Sequence, residues 1–131
     1  MIPVELTISS PVNGNCLQAC VASLLELTLA DVPNFMEIGD PDHDSEWWFA
    51  FHRFVLESGY VLDGCFFAED AIARKKGIDG YFIGSVKSVN FEGCTHAVIF
   101  KGLELAFDPS PGKKFVGTGL DSICYYVIER K

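Results

Sequence analysis

The chain has 131 residues, of which 49% are hydrophobic and 21% charged; that balance fits one domain spanning 1–131 with a modest core and argues against a disordered chain. Eighteen acids against ten bases leave a net charge of −8, and since eight acids and no base precede Arg53, the whole excess lies in residues 1–52 while the other ten acids (18 − 8) balance the ten bases. An acidic half of this kind repels phosphate backbones and argues against a nucleic-acid binder, and no uninterrupted apolar run approaches the ~20 residues of a membrane span.

In chain order, residues 1–15 read as extended, ending in the turn formers Pro11-Val12-Asn13-Gly14-Asn15. A helix is expected from Cys16, with Asn15 as its N-cap, fading near 28–30. Leu17, Cys20, Val21, Leu24, Leu25 and Thr28 share its apolar face, and Ala19, Ser23 and Glu26 lie opposite. Residues 36–44 form an acidic loop. The stripe Trp47, Trp48, Phe51, Phe54 and Val55 predicts a second helix over 45–58, closed by Gly59 in the left-handed conformation and packed on a sheet. A strand over 60–67 and a short helix over 68–76 follow. Strands are then expected over 81–86, 95–101, 103–107 and 123–129, separated by Gly or Pro turns, with Ser85-Val86-Lys87-Ser88 read also as a loop or turn beside the third of the five. In the pairs Phe66-Phe67 and Tyr125-Tyr126, one ring faces in and one out. Helices first and strands later predict an α+β domain, its N-terminal helices packed on a C-terminal antiparallel β-sheet.

No Lys or Arg precedes the first apolar segment, so no secretory or transit signal is evident and a cytoplasmic location is the expectation. The five cysteines, Cys16, Cys20, Cys65, Cys94 and Cys124, are an odd number and include no CxxC, which argues against a complete disulfide framework. Most are expected as small buried hydrophobes. Arg74-Lys75-Lys76 and Lys113-Lys114 are short enough to be solvated surface.

Chemistry points to the first helix. A thiol in its opening turn meets free backbone N–H groups and the positive end of the helix dipole, both of which favour thiolate. Cys16 lies about 100° from the centre of the apolar face and looks out at its rim, whereas Cys20 turns toward the buried side. A cysteine nucleophile needs a base. His43 falls in the acidic loop and His52 beside the aromatic stripe, but His96 opens the apolar strand His96-Ala97-Val98-Ile99-Phe100. Asp108 follows twelve residues later (108 − 96) in Phe107-Asp108-Pro109, after a hairpin turn around Lys101-Gly102-Leu103-Glu104. Antiparallel neighbours joined there bring the start of one strand near the end of the next, so Asp108 is positioned to orient the imidazole.

The segment Asn15-Cys16-Leu17-Gln18-Ala19-Cys20-Val21-Ala22-Ser23-Leu24-Leu25, with His96-Ala97-Val98-Ile99 and Phe107-Asp108-Pro109, resembles the papain-like cysteine peptidases, specifically the bacterial double-glycine leader peptidase type. It is similar also to short papain-fold proteins of bacteria and phages. The resemblance implies a papain-like fold, no cofactor, and a triad in which Cys16 is nucleophile, His96 general base then acid, and Asp108 the orienting carboxylate. Ser10 stands where that family usually places an oxyanion-stabilising glutamine; Ser10, Asn13 and the Cys16 amide are the donors within reach in sequence. A leader-peptidase glycine is replaced by Leu17.

The first reading is therefore a cysteine hydrolase acting on a peptide or protein substrate, for which the acidic half favours basic partners. The competing reading is an inactive papain-fold protein, of phage or bacterial origin, that sequesters a partner. A metal site built from Cys16, Cys20 and His96 is a third, and with no second closely spaced cysteine pair no metal is the expectation.

Overall fold

The computed structural model describes residues 1–10, 14–38, 45–63 and 77–131. The expected turn over 11–13, most of the acidic loop with His43, the strand beyond Asp63, and the helix over 68–76 with Cys65, Phe66-Phe67 and Arg74-Lys75-Lys76 lie outside the described residues.

Helix α1 (Cys16–Leu25) is followed by two single 3-10 turns, Leu29–Asp31 and Phe35–Glu37, and by helix α2 (Ser45–Glu57). Strands β1 (Tyr60–Asp63), β2 (Tyr81–Lys87), β3 (Thr95–Lys101), β4 (Glu104–Phe107) and β5 (Cys124–Arg130) form one sheet in the order β1-β5-β2-β3-β4, antiparallel throughout. The α+β class with helices ahead of an antiparallel sheet is as expected. Ser85, Val86 and Lys87, also read as loop, are ladder residues of β2 paired with Ala97, His96 and Thr95. Among the described residues, no helix is long and apolar enough to cross a membrane.

The α1 helix departs from its expected form in three ways. It ends at Leu25, because Glu26 takes a left-handed conformation (φ 57°) and Thr28 starts the next 3-10 turn by bonding Asp31 through both its amide and its hydroxyl. Its far side is not solvated: Ala19 and Ser23 are fully buried. The N-terminal segment covers them, the amides of Ile2 and Val4 donating to Ser23 O (3.0 Å) and Ser23 Oγ (2.9 Å), while that hydroxyl donates to Ala19 O. Finally, Asn15 occupies the N-cap position without capping the helix through its side chain. Its carboxamide instead accepts from the amides of Thr7 and Ile8 and donates to Thr7 Oγ1, pinning residues 7–8 against the start of α1.

Both faces of the sheet are covered. Alternation along β2 and β3 sends Ile83 and Ile99 toward the helices, where they meet Val21, Phe35, Phe51 and Val55, and sends Phe82, Val98 and Phe100 to the opposite face. Tyr126 and Tyr125 divide in the same way, but Tyr125 is fully buried, because Phe115, in the loop after Asp108, packs over that second face. Burying such a ring contributes about 1.5–3 kcal/mol and fastens the loop to the sheet. On α2, Phe51 and Val55 point into the core while Arg53 and Glu57 are exposed, and Gly59 (φ 93°) ends the helix as expected.

One irregularity places the site. The hairpin turns at Gly102 (φ 61°) and pairs Lys101 with Glu104 and Phe100 with Leu105, but Ile99 with Phe107, so β4 carries one extra residue. In an unbroken ladder Asp108 would align with Ala97, whose side chain faces the helices. The bulge advances it by one position, onto the face that carries His96.

Candidate active site

Beyond Phe107 no strand among the described residues lies beside the edge of β3, and there the N-terminus of α1 takes over. In an antiparallel ladder the N–H and C=O of one residue point to the same side. Both groups of Ala97 point to α1, where two thiols one helical turn apart receive them: the Ala97 amide donates to Cys16 Sγ (3.4 Å), and Cys20 Sγ donates to Ala97 O (3.4 Å). The Cys-x-x-x-Cys spacing thus lets two thiols hold the amide and the carbonyl of one residue at an open strand edge.

His96, the residue before Ala97, is 8% exposed and in hydrogen-bond contact with Cys16. Its Nε2 lies 2.6 Å from Asp108 Oδ1, which leaves Nδ1 as the ring nitrogen for the thiol. Asp108 is 3% exposed and its carboxylate is fully engaged: Oδ1 also accepts the Ser110 amide (2.9 Å) and Oδ2 the Phe115 amide (2.7 Å). Lys114, exposed as expected, also donates from Nζ to the carbonyls of Asp108 and Ser110, clamping the loop whose amides hold the carboxylate. A further tie joins the N-terminal segment to this loop, from the Leu6 amide to Pro109 O (2.9 Å). Cys16, His96 and Asp108, singled out in the sequence from three distant places, form one contiguous chain of contacts.

The charges follow from these contacts. Burial pushes the Cys16 thiol up, but the His96 hydrogen bond, the Ala97 amide and the imidazolium charge together outweigh it and bring the thiol below its ordinary value. Burial pulls His96 down, and its bonds to Asp108 and Cys16 reverse this, raising it to about 9. Burial likewise raises Asp108, and the His96, Phe115 and Ser110 donors more than compensate, so its carboxyl sits below the usual range. The contacts thus favour the thiolate, imidazolium and carboxylate forms of the three groups together. Cys20, with no base beside it, is fully buried and pushed well above its ordinary value, first by burial and then by the Cys16 and Asp108 charges. It remains a protonated thiol.

Cys16 is partly accessible and borders two clefts. One, about 50 Å³, is bordered by His96 and the polar residues Ser10, Ser88, Asn90 and Thr95. The other, about 730 Å³, is bordered by Leu17, Met36, Trp47, Cys94 and Tyr126. Ser10 borders both. It is drawn beside Cys16 because Gly14 packs on its backbone so closely that a β-carbon at position 14 would stand 2.7 Å from Ser10 O. Asn13, the other side chain considered for the oxyanion, lies outside the described residues.

Trp47, whose stripe reads first as helix-on-sheet packing and second as the wall of a substrate groove, borders the larger cleft, and so does Tyr126, which carries no such signal in the sequence. Cys94 is half-buried at both clefts instead of being a core thiol. His52 stacks on Trp48 at 4.5 Å, the packing role expected of it. Among the described residues no group of three or more His, Cys, Asp or Glu is arranged to hold a metal ion, and the Cys20 thiol is turned to the Ala97 carbonyl.

Compared with models of known protein families, with curated proteins and with solved structures, the chain matches none.

Proposed function

We propose that this protein is a papain-like cysteine hydrolase that cleaves a peptide, isopeptide or other amide with Cys16, His96 and Asp108. The observation that carries the reading is the continuous contact from the Cys16 thiol through the His96 imidazole to the Asp108 carboxylate, with Nε2 to Oδ1 at 2.6 Å and Cys16 bordering two clefts. The Cys16 thiolate adds to the amide carbonyl, and the oxyanion faces the amide of Cys16 at the positive end of α1 and the neighbouring Ser10. The His96 imidazolium gives its proton to the leaving nitrogen as the C–N bond breaks, leaving a thioester and a neutral imidazole. That imidazole takes a proton from water, whose oxygen adds to the thioester carbon. Expulsion of the thiolate then releases the acid and restores the imidazolium–thiolate pair. The small polar cleft bordered by both Cys16 and His96 suits this water. Asp108 holds the ring with Nδ1 toward sulfur throughout.

The experiment is alkylation by iodoacetamide at about pH 6, mapped cysteine by cysteine. Cys16 is expected to react at least ~10-fold faster than any other thiol, and this advantage is expected to vanish in His96→Ala. Slow, uniform labelling would overturn the reading. The second reading, a non-catalytic protein of phage or bacterial origin that sequesters a partner on the same scaffold, is favoured by Ser10, whose short hydroxyl replaces a longer oxyanion donor. It predicts that Cys16→Ala retains the protein's cellular effect.

A further inference from the structure

We propose that Cys16 and Cys94 form a reversible disulfide driven by a hydroperoxide, in which Cys94 resolves the oxidation of Cys16 and the site is switched off. This goes beyond the hydrolase reading, because it needs no amide substrate. Four cysteines lie among the described residues, and none is joined in a disulfide. Of these, Cys94 alone shares both clefts with Cys16. Cys20 is fully buried and holds the Ala97 carbonyl, and Cys124 donates to the Tyr126 hydroxyl (3.5 Å); neither borders either cleft.

Local structure brings Cys94 there. The β2–β3 pairing continues one step beyond Lys87 and Thr95, with the Ser88 amide donating to Cys94 O (3.0 Å), so residue 94 lies two positions before His96 on the same face of the sheet. The turn that it closes is bonded within itself: the Cys94 amide donates to Phe91 O (3.2 Å), and the amides of Asn90 and Phe91 donate to Ser88 Oγ. A longer bond runs outward, from Asn90 Nδ2 to Lys113 O (3.4 Å). Gly93, at φ 76°, precedes Cys94 with open space around its α-carbon. A disulfide brings its sulfurs to about 2.05 Å and its Cα atoms within about 7 Å. An exposed turn with a glycine beside its last residue can make that approach to α1 without disturbing the core.

Hydrogen peroxide is the smallest such oxidant, and the cleft of about 50 Å³ bordered by Cys16, Cys94 and His96 has room for a molecule little larger than water. Peroxide reacts with thiolate, the form that the contacts of Cys16 favour. The Cys16 sulfur attacks one peroxide oxygen and the O–O bond breaks. The departing hydroxide takes the His96 proton and leaves as water, so the peroxide is reduced and Cys16, oxidised by two electrons, is a sulfenic acid. The Cys94 sulfur then attacks the Cys16 sulfur, the S–O bond breaks, and the hydroxide released carries off the Cys94 proton as a second water. Two thiols and one peroxide thus give one disulfide and two waters. The product holds no nucleophile, and a dithiol restores it by attack on the S–S bond.

In the test, dilute reduced protein is treated with a small excess of hydrogen peroxide, remaining thiols are blocked in acid, and the chain is digested without reductant for mass spectrometry. A Cys16–Cys94 link is expected, in a monomer lighter by two hydrogens. Iodoacetamide labelling of Cys16 is expected to fall by at least ~10-fold and to return with dithiothreitol. In Cys94→Ser the sulfenic acid has no resolving thiol and passes to sulfinic acid, so dithiothreitol is expected to recover at least ~5-fold less of that variant's own starting label than in the unaltered protein. If Cys94→Ser fails to fold, the link map of the unaltered protein decides alone. A link from Cys16 to Cys20, Cys65 or Cys124, sulfinic acid at Cys16 with Cys94 unlinked, or full recovery in Cys94→Ser would overturn the proposal. No amide cleavage enters the measurement, so absence of the link overturns the switch alone and leaves the hydrolase reading to its own test.

Discussion

The first and second turns of α1 carry the same residue type against the backbone of the same strand residue, with opposite results. Cys16 and Cys20 both touch Ala97, at equal distance. Cys16 accepts from its amide, has an imidazole beside it and stays partly accessible, and its ionised form is favoured. Cys20 donates to the carbonyl, is fully buried without a cation, and its neutral form is favoured. Position on the helix does not by itself make a thiolate; the difference lies in which neighbour the strand edge supplies one turn earlier.

Exchanging each thiol breaks this comparison most directly. Cys16→Ala is expected to fold and to lose at least ~10³-fold in amide hydrolysis measured on a reactive peptide substrate. Cys20→Ala is expected to keep hydrolysis within a few-fold and to lose about 1–2 kcal/mol of stability in urea denaturation, through a lost hydrogen bond and a small cavity. A Cys20 variant as inactive as Cys16→Ala would remove the distinction between the two turns.

Asp108→Asn sharpens it from the imidazole side. Without the carboxylate, His96 loses its largest raising influence, so the alkaline limb of the hydrolysis profile, expected near pH 9 in the unaltered protein, moves to lower pH and the rate falls by at least ~10²-fold. Because folding raises the His96 value, its contribution to stability is complete below the unfolded-state value of about 6.5 and is lost as pH rises through about 9. Thermal melts over that window are expected to show the loss, and to show less of it in Asp108→Asn.

Smaller effects belong to the supports. Gly14→Ala forces the backbone away from Ser10 O and is expected to cost about 1–3 kcal/mol in denaturation and to lower activity. Lys114→Met frees the loop that presents the Ser110 and Phe115 amides; about 1 kcal/mol of stability and a modest downward move of the alkaline limb are expected, with Lys114→Arg restoring the limb. A limb unmoved by Lys114→Met would show that the carboxylate needs no clamp.

Much of the strand framework was legible, because alternation and glycine turns are local signals. Strand β3 covers 95–101 as expected, α2 begins at Ser45 as expected, and the hairpin turn falls at Gly102. The triad was legible for the same reason, each member standing at the end of a recognisable element. What escaped depends on contacts between distant segments. The back of α1 looks polar enough for solvent until the N-terminal segment covers Ala19 and Ser23, and nothing periodic in residues 1–10 announces that role. The β4 bulge that turns Asp108 to the face of His96 leaves no mark in an ordinary run of apolar residues. Lys114 looks like any surface lysine until the loop that it clamps exists.

The most direct measurement of the central pairing is the thiolate absorbance of the protein minus that of Cys16→Ser, followed from about pH 4 to about pH 10 and repeated in the His96→Ala background. The Cys16 thiolate is predicted to form below the ordinary thiol range, and in the absence of His96 to form only above it, since burial then acts with its main opponent removed. A Cys16 titration at the ordinary thiol value, unchanged by His96→Ala, would contradict the account.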